Sequence, residues 1–508
     1  HTCRRGRFDS FAHLSGDRRL RVPLVRKDGE LLESTWDEAL DLVAREFRRL
    51  HREHGVDALA ALGSPRATNE ANYLLQKLFR GPFGTNNLDF PGSQPYLTGM
   101  SVLSGSLGFG AMTNALAEIE KAEVILAVGN LIEETNPIVA TALRRAGRTH
   151  GRHLITVTSI AVALGTFAKP ALVVTHGREA ELLSTILQRI LKLDLYSHEF
   201  AATHTKGLDG LTTLLSKIDP RQVAAALGIS RETLENVARA CAGASSLALV
   251  YSEDAAGDPR IVEAIVNLAI LTGRIGAERS GIYPLSRHIN TQGALDMGMA
   301  PTLYPGHETV TDGGARERLR RAWGMEPPGR PGLSYWQMIG AAREGTLKGL
   351  YVLGENPVAQ ESKWDEVLEG LRRLEFLVVQ DMFLSQSAEL AHVVLPAASF
   401  LEQEGTFTNT ERRVELLRAA LRGPEGARPD WQIVAGLLAR VDSGPTYPDA
   451  GSVFQEITAV VPFYEGLSHA RLQGGGIPWP CRTGDPGRCD GRVTREMVKR
   501  PLELALPR

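Results

Sequence analysis

Cysteine is scarce in this chain: 4 in 508 residues, at Cys3, Cys241, Cys481 and Cys489. Their spacing makes no disulfide framework, which fits a reducing, cytoplasmic setting. Cys481 and Cys489 have no His or third Cys near them, too few ligands for a zinc-type site. An excess of charge of one sign is also missing. Lys and Arg number 57 against 59 Asp and Glu, a net charge of −2, so nothing points to a nucleic-acid surface. No apolar run is long enough to span a bilayer, and any role at a membrane then runs through partner subunits. There is no signal-peptide pattern, and the chain opens at His1 rather than Met, as expected of a fragment or a trimmed chain. What remains is an ordinary globular composition, 43% hydrophobic and 23% charged, long enough for two to four domains.

The stretch 84–114, GTNNLDFPGSQPYLTGMSVLSGSLGFGAMTN, organises the rest. No helical or strand period runs through it, so it reads as a long loop between a helix ending near Arg80 and a strand at 123–128. Loops of that length are functional or disordered, and the interleaved Leu, Met, Phe and Tyr argue against disorder. Around it helix and strand patterns alternate. Thr35 and Glu38 form a capping box, with Leu40, Val43 and Phe47 on one face. Strands read at 56–62, 123–128 and 153–158, helices at 69–79, 134–145 and 178–193. The order βαβα implies a parallel sheet covered on both faces, with ligands at the carboxyl ends of its strands. Gly129 onward and Thr158 onward occupy such ends. Residues 194–245 read as polar helix, with Cys241 as core.

A second α/β unit starts with a strand at 247–252 and a helix at 261–271. Later strands read at 350–356, 376–380 and 392–396, 405–413 reads as a polar turn, and 430–441 as a helix with Asp430 as N-cap. Gly354-Glu355-Asn356-Pro357 is, on its own, a strand-to-helix turn with an Asn cap. His288 beside Arg287 suggests either anion binding or a solvated loop. The expected domains are 1–33 as a remnant of an N-terminal domain and 34–245 with 350–440 as interleaved α/β units forming a cleft. Residues 246–349 make a second α/β unit, and 441–508 a Gly- and Pro-rich extension.

The landmarks GTNN-x-D at 84–89 and GFGAMTN at 108–114 resemble the molybdopterin oxidoreductases, particularly the formate dehydrogenase catalytic subunit. The same fold forms much of the large iron–sulfur subunit of NADH:quinone oxidoreductase, complex I. The resemblance runs from Cys3 to about Cys489. It implies a multidomain α/β fold with two doubly wound parallel-sheet (Rossmann-like) units, and the family's C-terminal β-barrel is expected to be absent. Cys3-x-x-Gly6-Arg7-Phe8 is similar to the last ligand of a 4Fe-4S cluster and the entry to the large domain, with three further thiolates upstream. Arg5 stands where the family has Lys. In the dehydrogenases Cys-His between the two landmarks binds molybdenum or tungsten and assists catalysis. Pro95 and Tyr96 fall there, and 84–114 contains neither Cys nor His.

Residues 281–298 match the family at Asn290, Gln292, Gly293, Asp296, Met297 and Gly298, while its formate-orienting Arg falls on Ser286 with Arg287 one place along. Gly129-Asn130 is half of a family turn. Thr158-Ser159-Ile160 replaces Asp-Pro-Arg, and Gly177-Arg178-Glu179 partly matches Gly-Thr-Asp. The resemblance implies a pterin cleft lined by Gly129, Asn130, Asn290, Gln292, Gly293, Gly354, Glu355, Asn356, Asp381, Gly405, Thr406, Asn409 and Arg412. It leaves two readings. One is the large iron–sulfur subunit of an NADH:quinone oxidoreductase, its molybdopterin-type domain catalytically silent and kept as scaffold for electron transfer. It is then peripheral to the inner membrane, meeting NADH and quinone only through other subunits of a respiratory or diaphorase-type complex. The alternative is a molybdenum- or tungsten-dependent formate dehydrogenase-like enzyme holding molybdopterin guanine dinucleotide, or a paralogous subunit of a hydrogenase or bifurcating complex.

Overall fold

Short, wholly apolar runs that are too brief for helices pair here as central parallel strands. The computed structural model describes residues 14, 18–442, 444, 446–482, 484 and 501–505. Cys3, Arg5, Gly6, Arg7, Phe8 and Cys489 lie outside the described residues. The first sheet contains β1 (Leu24–Lys27), β2 (Glu30–Glu33), β3 (Leu59–Leu62), β4 (Leu88–Asp89), β13 (Gly349–Leu353), β14 (Phe376–Asp381) and β15 (Val393–Pro396), in the order β2-β1-β15-β14-β13-β3-β4. Strands β3, β4, β13, β14 and β15 run parallel, and β1 runs antiparallel to both β15 and the edge strand β2.

The second sheet is all parallel: β5 (Val124–Val128), β6 (His153–Thr158), β7 (Ala171–Val173), β9 (Leu247–Tyr251) and β10 (Gly281–Pro284), ordered β10-β9-β5-β6-β7. Smaller pairings join β8 (Thr205–Lys206) to β19 (Leu502–Glu503) and β11 (Leu303–Tyr304) to β12 (Glu308–Thr309). A three-stranded antiparallel sheet contains β16 (Gly405–Thr408), β17 (Arg413–Leu417) and β18 (Ile477–Pro478). Sheet membership crosses the 245/246 boundary expected from sequence, because β9 and β10 pair beside β5 rather than forming a unit of their own.

Both large sheets bury both faces, and the pleat divides their residues between separate cores. In sheet one, Ala61, Tyr351, Leu353 and Val378 face one core, while Ala60, Leu62, Val352 and Val379 face another. In sheet two, Val124, Leu126 and Leu249 oppose Ile125, Ala127 and Val250 in the same way. The long first helix, α1 (Trp36–His54), starts at the expected capping box, with the Thr35 side chain accepting the Glu38 N–H and the Glu38 side chain answering the Thr35 N–H.

The second helix, α2 (Asn69–Arg80), is buried along its whole length, polar residues included. Its polar side chains find partners inside the protein. Lys77 Nζ donates to Glu456 Oε1 at 2.6 Å and to Tyr447 Oη at 2.9 Å. Arg80 donates to Asn86 Oδ1 at 2.7 Å, Gln76 Oε1 at 2.9 Å, and the carbonyls of Gly298, Ala300 and Leu303 at 2.8, 2.9 and 2.7 Å.

Three expectations are corrected. The stretch 84–114 is not one loop: strand β4 and helix α3 (Ser93–Leu107) lie within it. Its helical period is faint because the buried side includes Ser93, Gly99 and Ser106 while the exposed side carries Ser101, Ser104 and Gly105, so polarity does not separate the faces. Gly92 and Gly108, both left-handed with φ 77° and 89°, bracket the helix. The expected turn at 405–413 is the hairpin of β16 and β17, its bend held by Asn409 Oδ1, which accepts the N–H groups of Glu411 and Arg413. Asp430 is the first residue of the helix Asp430–Val441 rather than its N-cap. Pro429 takes the cap position, and the Asp430 carboxylate is engaged by Gln380 and Gln403.

Arg80→Leu removes the guanidinium donors from the carbonyls of Gly298, Ala300 and Leu303 and from Gln76 and Asn86. A loss of about 3 kcal/mol or more is expected, since hydrogen bonds to a charged group are the stronger kind. Thermal unfolding of the purified variant checks this, and an unchanged midpoint contradicts it.

Candidate cofactor cleft

The carboxyl ends of β13, β14 and β15 open into a cavity of about 670 Å³. Gly354, Asp381, Ala397, Ala398 and Ser399 bring the strand ends to its wall, and Arg66 enters from the turn after β3. Arg287 and His288 come from the loop after β10, and Asp430 from the start of its helix. Met382, Phe400, Phe407 and Leu416 supply apolar surface. This is a pocket of ligand size with few, converging polar groups.

Charge is arranged around it with care for burial. The Arg66 Nη1 meets both oxygens of Glu355, at 2.7 and 2.6 Å, and Ser64 Oγ donates to Glu355 Oε1 at 2.6 Å. Burial raises the Glu355 carboxyl, while Arg66 opposes that rise. Burial likewise raises Asp381, whose Oδ1 accepts the N–H groups of Met382 at 2.6 Å and Phe383 at 3.4 Å. Asp430 is pushed up to about 6 by burial, against the help of Gln403 and Gln380. His288 is held down to about 3, first by burial and then by Arg66 and Arg287, so its ring is neutral.

Other residues singled out from sequence build the frame of the cleft. Asn290 Nδ2 donates to Ala67 O at 2.8 Å, and its Oδ1 accepts the Thr408 N–H at 2.6 Å. A Cβ on Gly293 would lie 2.0 Å from Asn290 Oδ1, and one on Gly405 2.7 Å from Glu70 Oε2, so both glycines permit close approach. Thr406 is bound to Glu70 through N–H and hydroxyl at 2.8 and 3.0 Å. Arg412 donates to Met112 O at 2.6 Å and to Trp479 O. Asn356 Oδ1 accepts the N–H and hydroxyl of Ser387 in the short helix Gln386–Glu389, and its side chain makes no cap bond on its own helix Pro357–Gln360.

Beneath lies a carboxylate with four donors. Asp296 accepts from Gln292 Nε2 at 2.8 Å, His307 Nε2 at 2.7 Å, Tyr464 Oη at 2.7 Å and Trp479 Nε1 at 3.0 Å.

Gln292 also fixes Tyr96, which falls where the resemblance expects the family's catalytic His, beside Pro95 at the expected metal-ligand position. Tyr96 Oη donates to Gln292 Oε1 at 2.8 Å, and Tyr96 is buried. Burial raises its phenol far above the ordinary range, so the oxygen keeps its proton and is no anionic ligand. Pro95 offers no ligand atom. It packs toward Gly257, where an added Cβ would stand 4.0 Å from its own Cβ. The described cysteines, Cys241 and Cys481, are buried and lie elsewhere. Among the described residues no group of three His, Cys, Asp or Glu is placed to hold a metal ion. A protein-ligated molybdenum or tungsten does not fit this donor set.

The ends of sheet two are arranged differently. Gly129, φ 112°, passes so close to β9 that a Cβ would lie 1.9 Å from Ser252 Oγ. The Asn130 N–H donates to Asp254 Oδ2 at 2.8 Å, and Asn130 Oδ1 accepts the N–H groups of Ser159 and Ile160 at 2.9 and 3.3 Å. Ser286 donates to His288 O at 2.9 Å within its own loop, whereas the neighbouring Arg287 reaches the cavity wall. Sequence reasoning missed Arg66, Asp254, Glu253 and His307. Arg66 and the acidic pair each follow directly on a parallel strand, a position that itself marks a ligand-facing edge.

A family profile described as molybdopterin oxidoreductase matches residues 19–440. The chain is 35% identical over 493 residues to the F420-dependent formate dehydrogenase 2 subunit alpha of Methanococcus maripaludis, covering 96% of this chain and 71% of that one. It is 33% identical over 487 residues to the probable oxidoreductase YjgC of Bacillus subtilis, covering 94% of this chain but 49% of that protein. Acetylene hydratase from Pelobacter acetylenicus shares the fold, with a TM-score of 0.74 at 17% identity over 94% of this chain and 68% of its own.

The raised Asp430 carboxyl ties stability to pH. Its folded value of about 6 exceeds the ordinary 3.8, so its contribution is full below about 4 and is lost as pH rises through about 6. A shift of that size corresponds to about 3 kcal/mol at most. Asp430→Asn is expected to flatten the fall in unfolding temperature between about pH 4 and about pH 7. An equal slope in variant and parent contradicts the assignment.

Proposed function

The chain belongs to the molybdopterin oxidoreductase family, and we propose that it is the pterin-domain subunit of a formate dehydrogenase-like redox complex that has lost protein ligation of the active metal. The observation that carries this is the pair Pro95-Tyr96: one residue without a ligand atom, the other a protonated phenol bound to Gln292. The names of the relatives from Methanococcus maripaludis and Methanocaldococcus jannaschii, both formate dehydrogenase alpha subunits, support the dehydrogenase-type complex. They weigh against the large iron–sulfur subunit of NADH:quinone oxidoreductase as the first choice. That reading stays as the second, favoured by the same pair, because a silent domain serving as scaffold needs no metal ligand.

When bound in this family, the cofactor supplies a metal dithiolene that exchanges electrons with substrate. In this chain, Arg66, Asp381, Asp430 and Arg287 would hold a pterin nucleotide at the sheet-one cavity. Their chemistry suits it, with carboxyls for N–H donors and guanidinium groups for phosphate. Nothing at Pro95-Tyr96 replaces the thiolate. Electron transfer in the assembled complex then rests on iron–sulfur centres, for which Cys3 is the proposed 4Fe-4S ligand in this chain, and on partner subunits. Among the described residues no helix is long and apolar enough to cross a membrane, so the proposed attachment to one is through those partners.

The complex purified from its native host is expected to show no formate-dependent dye reduction and no stoichiometric molybdenum or tungsten. Metal analysis and a viologen assay on one preparation decide it. Formate turnover with one metal per chain overturns the reading.

A further inference from the structure

Helix α3 presents its positive end at Gly92, which brings no side-chain cap, and its first turn contains no acidic residue. That turn carries Pro95 and Tyr96. Opposite it stands Glu253, the first residue of the short helix Glu253–Ala256 that follows β9. Glu253 Oε1 lies 3.9 Å from where a Cβ on Gly92 would stand, and Glu253 Oε2 accepts the Arg287 N–H at 2.8 Å. Gly257, just past that short helix, faces Pro95, with 4.0 Å between an added Cβ and the Pro95 Cβ. The Glu253 charge is felt at the Tyr96 phenol, and the Arg287 charge at Glu253. One carboxylate therefore sits between the turn that holds the two substituted positions and the loop that holds the displaced cation.

We propose that Glu253 is an internal substitute for a carboxylate substrate: it fills the place between the first turn of α3 and the Arg287 loop and keeps small carboxylate anions, formate included, out of it. This rests on the family reading above, which puts a substrate anion beside Pro95 and Tyr96, and adds a second loss to the first. A missing metal ligand removes a reaction, whereas Glu253 removes the seat of the substrate. Burial raises the Glu253 carboxyl, the Arg287 N–H and charge oppose that rise, and neighbouring Asp254 adds to it. Asp254 is itself held in place by the Asn130 N–H and the Ser252 hydroxyl, so an entering anion meets two carboxyls side by side, a like-charge contact that disfavours binding. Ser286 offers no compensating cation, since its hydroxyl is turned to His288 O. A tethered carboxylate in the right orientation also competes at an effective concentration far above that of any free anion.

Formate is the probe, added to the natively assembled complex and to two variants of it. Glu253→Gln keeps the size and the acceptor oxygen for the Arg287 N–H and removes the charge, while Glu253→Ala vacates the place. Calorimetric titration is expected to give one formate per chain in Glu253→Ala, bound about tenfold or more tighter than by the parent, with Glu253→Gln between the two. Hydrogen exchange locates the effect. The Arg287 amide is expected to exchange faster in Glu253→Ala and to regain protection with formate but not with chloride at equal ionic strength. A merely structural role for Glu253 gives no such rescue. Equal formate binding by the parent and both variants overturns the proposal, as does an assembled pair of variants that bind none. If Glu253→Ala fails to assemble, tighter formate binding by Glu253→Gln than by the parent supports the proposal and equal binding overturns it. Such a failure leaves the missing metal ligand untouched, whereas formate turnover with a bound metal strikes that reading as well.

Discussion

A helix that is polar and yet wholly buried governs this architecture. Asn69, Glu70, Asn72, Gln76, Lys77 and Arg80 all lie inside on α2. Each unpaired polar group in such a place costs free energy, and an unpaired charge costs more. The surrounding segments are therefore fixed by what α2 needs. Arg80 gathers the carbonyls of Gly298, Ala300 and Leu303, Lys77 calls for Glu456, and Glu70 for Thr406. Residues from the middle and the far end of the chain are thereby tied to one helix near its start. The cleft is the space left between elements placed in this way.

The same logic separates the frame of the cleft from its chemistry. The landmarks of the family resemblance serve as stitches. Asn87 Nδ2 donates to Leu59 O at 3.1 Å and its Oδ1 accepts the Leu333 N–H at 2.8 Å. Asp89 Oδ2 accepts the Tyr335 N–H at 2.8 Å. Asn114 Nδ2 donates to Ala277 O at 3.1 Å, and the Thr113 hydroxyl accepts the Ile282 N–H at 2.8 Å. None of these groups needs a metal to justify its presence. None of these bonds involves Pro95, so the frame they build does not depend on which residue stands there.

Much of this is legible in the sequence. Runs rich in Leu, Ile and Val locate β6 to the residue and β14 closely, since a largely buried strand shows composition even without alternation. Helix α1 announces itself through Thr35 and Glu38. Helix α3 does not, because Ser, Gly and Thr on both faces erase the contrast that a period depends on. The hairpin of β16 and β17 reads as a turn because Thr, Asn, Glu and Arg carry its polar bonds in place of an apolar alternation. At the site, Gly354, Asp381 and Arg287 stand out in the sequence and line the cavity. Arg66 and Asp430 do not stand out as site residues, since their role depends on strands distant in sequence converging at one edge.

The displacement of one cation shows how position outranks identity. Ser286 stands where the resemblance expects Arg, and it turns inward to bind His288 O. Arg287, one residue along, has its N–H held by Glu253 and sits in the cavity wall beside Arg66. The cavity wall thus carries two cations, Arg66 and Arg287. His288, lying against both, is driven neutral by burial and by those same charges, so it adds an acceptor rather than a third cation. Cationic groups beside buried carboxyls still suit an anionic heterocycle. A guanidinium has donors and no acceptor, so these cations serve anions and ligate no metal.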